Sequence, residues 1–229
     1  MKLAVMQPYL FPYIGYFQLV NCVDLFILYD DVNYIQRGYI NRNSILLNRS
    51  AHRFTVPVIN ASQNRKISEL SFSNEIDKTL KSISHAYSKA PFFNEIYLLI
   101  SDVLTSSNRD ISFMCELAIS RIFNYLDLPV KTIHASTIDY DRDLSAQDRL
   151  ISLCNMFGAK EYVNSIGGKS LYKKEDFLRN GITLHFIETQ VLSYNQRTDN
   201  FIPNLSIIDT LMWCSIDKVH HLLNMYRLS

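Results

Sequence analysis

The hydrophobic pattern opens with a short apolar run at residues 2–6, stopped by Gln7-Pro8. So short a run reads as a buried strand. From residue 14 to 23 the spacing becomes helical, with Tyr16, Leu19, Val20 and Val23 available to one face. Residues 24–30 form a second apolar run that ends on two adjacent carboxylates, Asp30 and Asp31. Strand, helix and strand within about 30 residues predict a βαβ unit with parallel strands and a right-handed crossover.

Residues 31–50 are polar and rich in Tyr, Asn and Arg, which predicts a loop. Residues 53–58 read as a strand with Pro57 near its end, and the alternation at 67–71 predicts a short edge strand. Helical periodicity runs from 75 to 126 and breaks at Pro91, so at least two helices are expected there. A strand follows at 130–135. Residues 144–157 read as a helix with Leu144, Leu150, Ile151, Cys154 and Phe157 on its apolar side, and Gly158 is a natural stop. Short strands are expected at 161–164 and 182–187. A last helix is expected over 206–226, with Ser206 as a candidate N-cap and Asp209 at the third helical position.

This alternation predicts an α/β fold: a single open, parallel, Rossmann-like, doubly wound sheet, with the mostly helical stretch near 75–126 as an insertion or subdomain. One domain over residues 1–229 is expected, since one core serves chains up to about 250 residues. Division of the two halves into separate domains is the alternative.

Composition narrows the function classes. The chain is 48% hydrophobic and 20% charged, which is globular rather than disordered. With 23 basic and 22 acidic residues it lacks the basic excess of a general nucleic-acid binder. No stretch approaches the roughly 20 apolar residues of a membrane span. The first residues are too short an apolar run for a signal peptide, so a cytoplasmic protein is expected. Cys22, Cys115, Cys154 and Cys214 are widely spaced, as reduced thiols would be. Tyrosine is abundant, with 14 residues, and its apolar ring and polar tip suit clefts as well as cores.

Open parallel sheets bind ligands beyond the carboxyl ends of their strands. That rule selects Gln7 to Phe17 after the first strand and Tyr29 to Tyr34 after the second. Together they offer the Gln7 amide, the phenols of Tyr9, Tyr16 and Tyr34, and the two carboxylates. Neighbours on an extended chain point to opposite faces, so Asp30 and Asp31 are not expected to form a shared acid/base dyad. One of them could act alone as a general base, or both could cap a solvated strand end. The loop Gln36 to Asn43 holds Arg37, Arg42, Asn41 and Asn43, and arginine forks bind phosphate. Ser165-Ile166-Gly167-Gly168-Lys169-Ser170 tempts a phosphate-loop reading, but Val163 stands where that motif needs glycine. A simpler glycine turn presenting Lys169 to an anion remains, as does a plain strand exit. Cys154 lies on an apolar helix face, which suits a buried thiol better than a nucleophile. The six histidines show no helical metal-ligand spacing, and each alone reads better as structural.

Two patterns carry resemblances. Phe11, Pro12 and Gly15 sit roughly where the nucleotidyltransferase pattern F-x-P-x-H-x-G-H has its counterparts. Both histidines of that pattern are missing, which argues against its chemistry. A longer ordered set spans most of the chain: Gln7-Pro8-Tyr9, Pro12-x-x-Gly15-Tyr16-Phe17, Tyr29-Asp30-Asp31-Val32-x-Tyr34, Asn41-Arg42-Asn43, Thr55-Val56-Pro57-Val58, Gly158-Ala159-x-x-Tyr162 and Phe201-Ile202-Pro203-x-Leu205-Ser206-Ile207-Ile208-Asp209. This set resembles the WbqC-like family found with bacterial surface-polysaccharide genes. The resemblance implies a role in O-antigen or other surface-glycan biosynthesis.

With that context, the leading expectation is a transferase that moves an acyl or aminoacyl group onto the amine of a nucleotide-activated amino sugar. Asp30 or Asp31 would orient or deprotonate the amine, Gln7 and Asn41 would stabilise the acyl oxyanion, and Arg37, Arg42 or Lys169 would hold phosphates. Tyr9, Tyr16, Tyr34 and Asn43 would line the hollow. The donor would be linked to coenzyme A or to an acyl carrier protein, and no metal ligand is assigned. The alternatives are glycosyl transfer, in which the paired acids would hold a metal, and a non-catalytic nucleotide-sugar-binding or assembly protein.

Overall fold

The computed structural model describes all of residues 1–229. The elements run β1 (Lys2–Met6), α1 (Ile14–Cys22), β2 (Leu25–Leu28), β3 (Arg42–Leu47), β4 (Ser50–Thr55), α2 (Asp77–Tyr87), α3 (Phe93–Leu104), α4 (Ile111–Tyr125), β5 (Thr132–His134), α5 (Ala146–Met156), β6 (Glu161–Ser165), α6 (Lys174–Arg179), β7 (Thr183–Thr189), α7 (Ile207–Trp213), α8 (Ile216–Leu223) and β8 (Tyr226–Leu228). Six strands form one sheet in the order β5-β2-β1-β6-β7-β8. The first five are mutually parallel and β8 lies antiparallel on β7. The expected α/β architecture is present, and the parallel sheet is completed by one antiparallel edge.

Successive residues of the strands enter opposite faces. Ala4, Phe26, Leu28, Val163 and Ile187 join the larger buried cluster with α1, the central helices, α7 and α8. Leu3, Val5, Leu25, Ile27, Tyr162 and Leu184 join a smaller cluster with α5 and α6. Helices therefore cover both faces, which keeps these nearly all-apolar parallel strands out of water. The chain passes from β5 at one edge to β6 beside β1, so the order reverses between β1 and β6. The carboxyl ends of those two strands flank the crevice where such sheets bind ligands. No helix is long and apolar enough to cross a membrane.

Several local expectations are corrected. Residues 42–55, expected as mostly loop, form the antiparallel hairpin β3–β4, which stands apart from the main sheet. The polar alternation of β3 hid a strand whose Asn43, Ile45 and Leu46 are buried. Residues 67–69 form a 3-10 turn rather than an edge strand. Between 75 and 126 there are three helices, consistent with the expected minimum of two. The helix expected over 206–226 is two helices, because the Ser215 side chain accepts from the Lys218 N–H and starts α8 anew. Both helices face the same core, so their apolar spacing runs through the break. Helix α6 was not legible as an element, being only six residues long. Gly158 does close α5, at φ +65°.

Candidate functional site

The segment after β1 is stapled from three directions. The Leu10 N–H donates to the Ile40 carbonyl at 3.0 Å. The Phe11 carbonyl accepts from Asn43 Nδ2 at 3.0 Å and from Ser206 Oγ at 2.7 Å. The Ile207 N–H reaches the Pro12 carbonyl at 2.8 Å. Phe11 itself is held at φ +49°, a conformation a bulky residue keeps only when its surroundings insist. Ser206 also caps α7 by accepting from the Ile208 N–H, as its sequence position suggested. The hairpin and the loop before α7 thus fix the mouth of the first βα turn.

Three hollows meet there. One of about 330 Å³ is lined by Tyr9, Pro12, Tyr13, Tyr39, Asn43 and Asn204. A second of about 400 Å³ runs along Ile14, Gln190, Tyr194, Phe201 and Pro203. A third of about 450 Å³ reaches Gly15, Ser165, Ile166, Glu188 and Thr189 at the ends of β6 and β7. All three share Tyr13 and Asn204, so they form one groove over the point where the strand order reverses.

The groove is aromatic and amide-rich. Tyr9 packs on Tyr16 and Tyr39, with ring centroids 5.5 and 6.3 Å apart. Tyr194 meets Phe201 edge-on at 5.1 Å. Burial, and then the neighbouring phenols, raise the pKa of Tyr9 and of Tyr13, so both remain neutral donors. Among the lining residues Glu188 is the one carboxylate, and no Lys, Arg, His or Cys is present. Glu188 lies 3.6 Å from Arg227 Nε and accepts from Ser229 Oγ at 3.2 Å.

Gly15 sits where the groove needs it. A Cβ there would meet the Tyr13 ring and would lie 2.8 Å from Thr189 Oγ1. Gly15→Ala should therefore push Tyr13 and Thr189 apart, lowering stability by about 1–3 kcal/mol. Urea denaturation of the variant checks this, and an unchanged midpoint would show that the ring moves freely.

The sequence-selected residues divide into groups. Gln7 and Asp30 do lie at one sheet edge, since β1 and β2 pair in parallel with Met6 opposite Leu28. Tyr9 and Asn43 line the groove. Gln7 is half-buried behind it, its carbonyl accepting from the buried Tyr16 hydroxyl at 2.9 Å. Asn41 is committed to the Val56 carbonyl at 2.9 Å, Arg42 Nε to the Gly38 carbonyl at 2.8 Å, and Tyr34 is buried in the larger core. Arg37 and Lys169 are exposed and border none of the three hollows.

Asp30 and Asp31 lie beyond the end of β2 and are taken by different partners. Asp30 is 1% exposed and accepts from the Ser136 N–H and Oγ, each at 2.8 Å. Its other neighbour is His134, whose Nδ1 lies 3.4 Å from Asp30 and whose Nε2 lies 2.9 Å from Glu116. Burial pushes the Asp30 carboxyl up, but the bonds from His134 and Ser136 outweigh it and hold it below its ordinary range. The hydrogen bond to Asp30, then that to Glu116, raises His134 to about 10. Asp31 accepts from the Tyr140 hydroxyl and Arg142 Nε, each at 2.8 Å. Neither carboxylate opens into the groove, and no group of three or more His, Cys, Asp or Glu is placed to hold a metal ion. Burial lifts the Cys154 thiol to about 12, which fits a structural cysteine.

Sequence reasoning did not single out Tyr13 and Tyr39 within the segments it selected, nor Thr189, Glu188 and Asn204. It also read Asp209 only as a capping residue. Asp209 is fully buried, and it accepts from Tyr87 at 2.8 Å, Tyr194 at 2.7 Å and Gln196 at 2.8 Å. Desolvation raises its carboxyl pKa against these three bonds. Tyr194 and Thr210 face the groove, so Asp209 supports its wall from behind.

The residues gathered around Phe11 come from the chain's most recognisable segments: the turn after β1, the Asn41-Arg42-Asn43 stretch and the run from Phe201 to Asp209. The model of the WbqC-like protein family matches residues 7–221. The chain belongs to this family. The chain is also similar to "Uncharacterized protein Rv1507c" of Mycobacterium tuberculosis (strain ATCC 25618 / H37Rv), at 28% identity over 215 residues, which covers 92% of each protein. No solved structure matches. The family match thus takes in the whole groove, from Tyr9 to Asp209, and its first matched residue, Gln7, is the one that leaves β1.

Proposed function

We propose that this WbqC-like protein is a transferase that holds a nucleotide-activated amino sugar in the groove and directs an acyl or aminoacyl group onto its amine. The observation that carries the reading is the continuous groove at the strand-order reversal, with aromatic walls, neutral amides and a single carboxylate. Aromatic faces suit the C–H faces of a sugar and the plane of a base. Asn204, Gln190 and Thr189 offer hydrogen bonds to hydroxyls, and such sites reject analogues that leave them unpaired. Helix α1 begins at the groove without a capping side chain; the Tyr16 N–H is taken by the Tyr13 carbonyl at 3.0 Å, which leaves the Gly15 N–H for a phosphate. Glu188 takes the role of orienting the amine and accepting its proton, in place of Asp30 and Asp31, which are committed elsewhere. The groove offers no side-chain nucleophile with an adjacent base, so the amine would attack the donor directly. The surface-glycan setting implied by the family resemblance supports this choice of substrate.

One feature favours a second reading, a non-catalytic nucleotide-sugar-binding protein: Glu188 alone lines the groove as an ionisable acid. Intact-mass analysis of nucleotide amino sugars incubated with acyl or aminoacyl thioesters tests the first reading, alongside thermal shift with the sugar alone. The transferase should add the acyl mass, Glu188→Gln should cut turnover by about 10²–10⁴-fold while binding persists, and Tyr13→Ala should abolish the thermal shift. A thermal shift without any product supports the binding protein. Neither shift nor product with any sugar would remove both readings.

A further inference from the structure

We propose that a second hollow, behind Asp209 as seen from the groove, binds a phosphorylated small molecule. It has a volume of about 420 Å³ and is lined by Arg49, Lys89, Arg197, Asn48, Gln196 and Trp213, among others. That size falls within the roughly 300–1,000 Å³ of small-molecule sites. Three cations face it and no carboxylate lines it. Asp199 stands at the rim, 3.4 Å from Arg49, with both side chains strongly exposed. Such a pair is weak and readily exchanged for a stronger anion. Guanidinium forks match phosphate oxygens in two bonds at once.

One further observation points to this hollow. The backbone holds both of its arginines against their own preference. Leu47 pairs with Ser50 across a two-residue loop, and Asn48 and Arg49 have φ +51° and +60°. Positive φ at both loop positions defines a hairpin turn that favours Asn followed by Gly. Asn48 obeys that rule and Arg49 breaks it. Arg197 is likewise held at φ +57°. Left-handed backbone at residues other than glycine collects where a side chain is needed in a fixed place. Here two such arginines, from separate parts of the chain, converge on one hollow.

The hollow and the groove share a wall. Tyr87 and Gln196 line the hollow, Tyr194 lines the groove, and all three bond to Asp209. The proposal needs nothing from the groove's assignment, because its ligand is recognised by the hollow's own cations.

Trp213 is the chain's only tryptophan, so its emission reports on this hollow directly. Inorganic phosphate and pyrophosphate are titrated against wild-type protein, with chloride at matched ionic strength as the control. A saturable emission change is expected with the phosphates and not with chloride. Arg49→Gly and Arg197→Gly should each weaken binding about tenfold. Arg49→Gly should at the same time raise the thermal midpoint, since it creates the favoured Asn-Gly turn, so lost binding there is not lost folding. Tyr13→Ala in the groove should leave the titration unchanged. No saturable change with either phosphate would overturn the proposal. So would a change that survives the Arg49→Gly, Arg197→Gly double variant.

Discussion

Replacing Asp209 with alanine is expected to lower stability by about 3–5 kcal/mol, among the largest effects a single substitution in this chain should have. The carboxylate is fully buried and accepts one bond from each of Tyr87, Tyr194 and Gln196. A bond to a charged acceptor contributes about 1.5–3 kcal/mol, and a buried donor left without a partner costs about 1–3 kcal/mol. These terms do not simply add, and relief of the carboxylate's own desolvation offsets part of them. Urea denaturation near neutral pH measures the result, and a loss under about 1 kcal/mol would mean the three donors find other partners. The damage should spread to the groove, because Tyr194 and Gln196 anchor the segment that carries Phe201 and Pro203. Asp209 also leaves a signature in pH. Burial raises its carboxyl above the ordinary aspartate value of 3.8. The native state then holds that proton to a higher pH than the unfolded chain does. Stability from this group is greatest in acid, falls as pH rises from 3.8 to the raised value, and is flat above it. Asp209→Asn should remove that slope.

The sequence made the sheet legible because its strands are short apolar runs, and parallel strands covered on both faces read that way. The βαβ start at residues 2–28 follows from that signal alone. The hairpin did not, since Arg42, Asn43 and Ser44 open β3 with polar side chains that serve as anchors. Asn43 shows the limit well. Its place in a polar stretch suggested a ligand contact, and it does border the groove, but its amide nitrogen is spent on the Phe11 carbonyl. Asp30 and Asp31 were visible as carboxylates at a strand end, whereas their partners His134, Ser136, Tyr140 and Arg142 lie over 100 residues away. No local pattern reveals which strand end a distant turn will cover. Tyr13 and Asn204 were missed for the same reason. They come from opposite ends of the chain, and each is unremarkable until the isolated pairing of Tyr13 with Ser206 brings the two segments together.

His134 ties the central helices to the sheet. It ends β5, and it bridges Asp30, beyond β2, to Glu116 on α4. The hydrogen bond to Asp30, followed by that to Glu116, raises it from 6.5 to about 10, against a smaller desolvation effect. The same contacts lower Glu116, first through its bond to His134. A cation between two carboxylates is therefore the native state at neutral pH. Because the folded pKa lies above the unfolded one, this stabilisation is fully present below 6.5 and disappears as pH rises through about 10. The shift corresponds to an upper bound of roughly 4–5 kcal/mol, and partial solvent screening of the 20% exposed ring brings the expected value to about 2–3 kcal/mol. His134→Gln should thus lose about 2–3 kcal/mol near pH 6 and little near pH 10, since the amide cannot supply the charge. Other groups titrate over the same range, so the quantity to follow is the difference between wild type and variant in urea denaturation at each pH. Convergence of the two curves toward high pH identifies the charge as the source. A constant gap would assign the loss to packing of the ring and leave the two carboxylates without a cation to hold them.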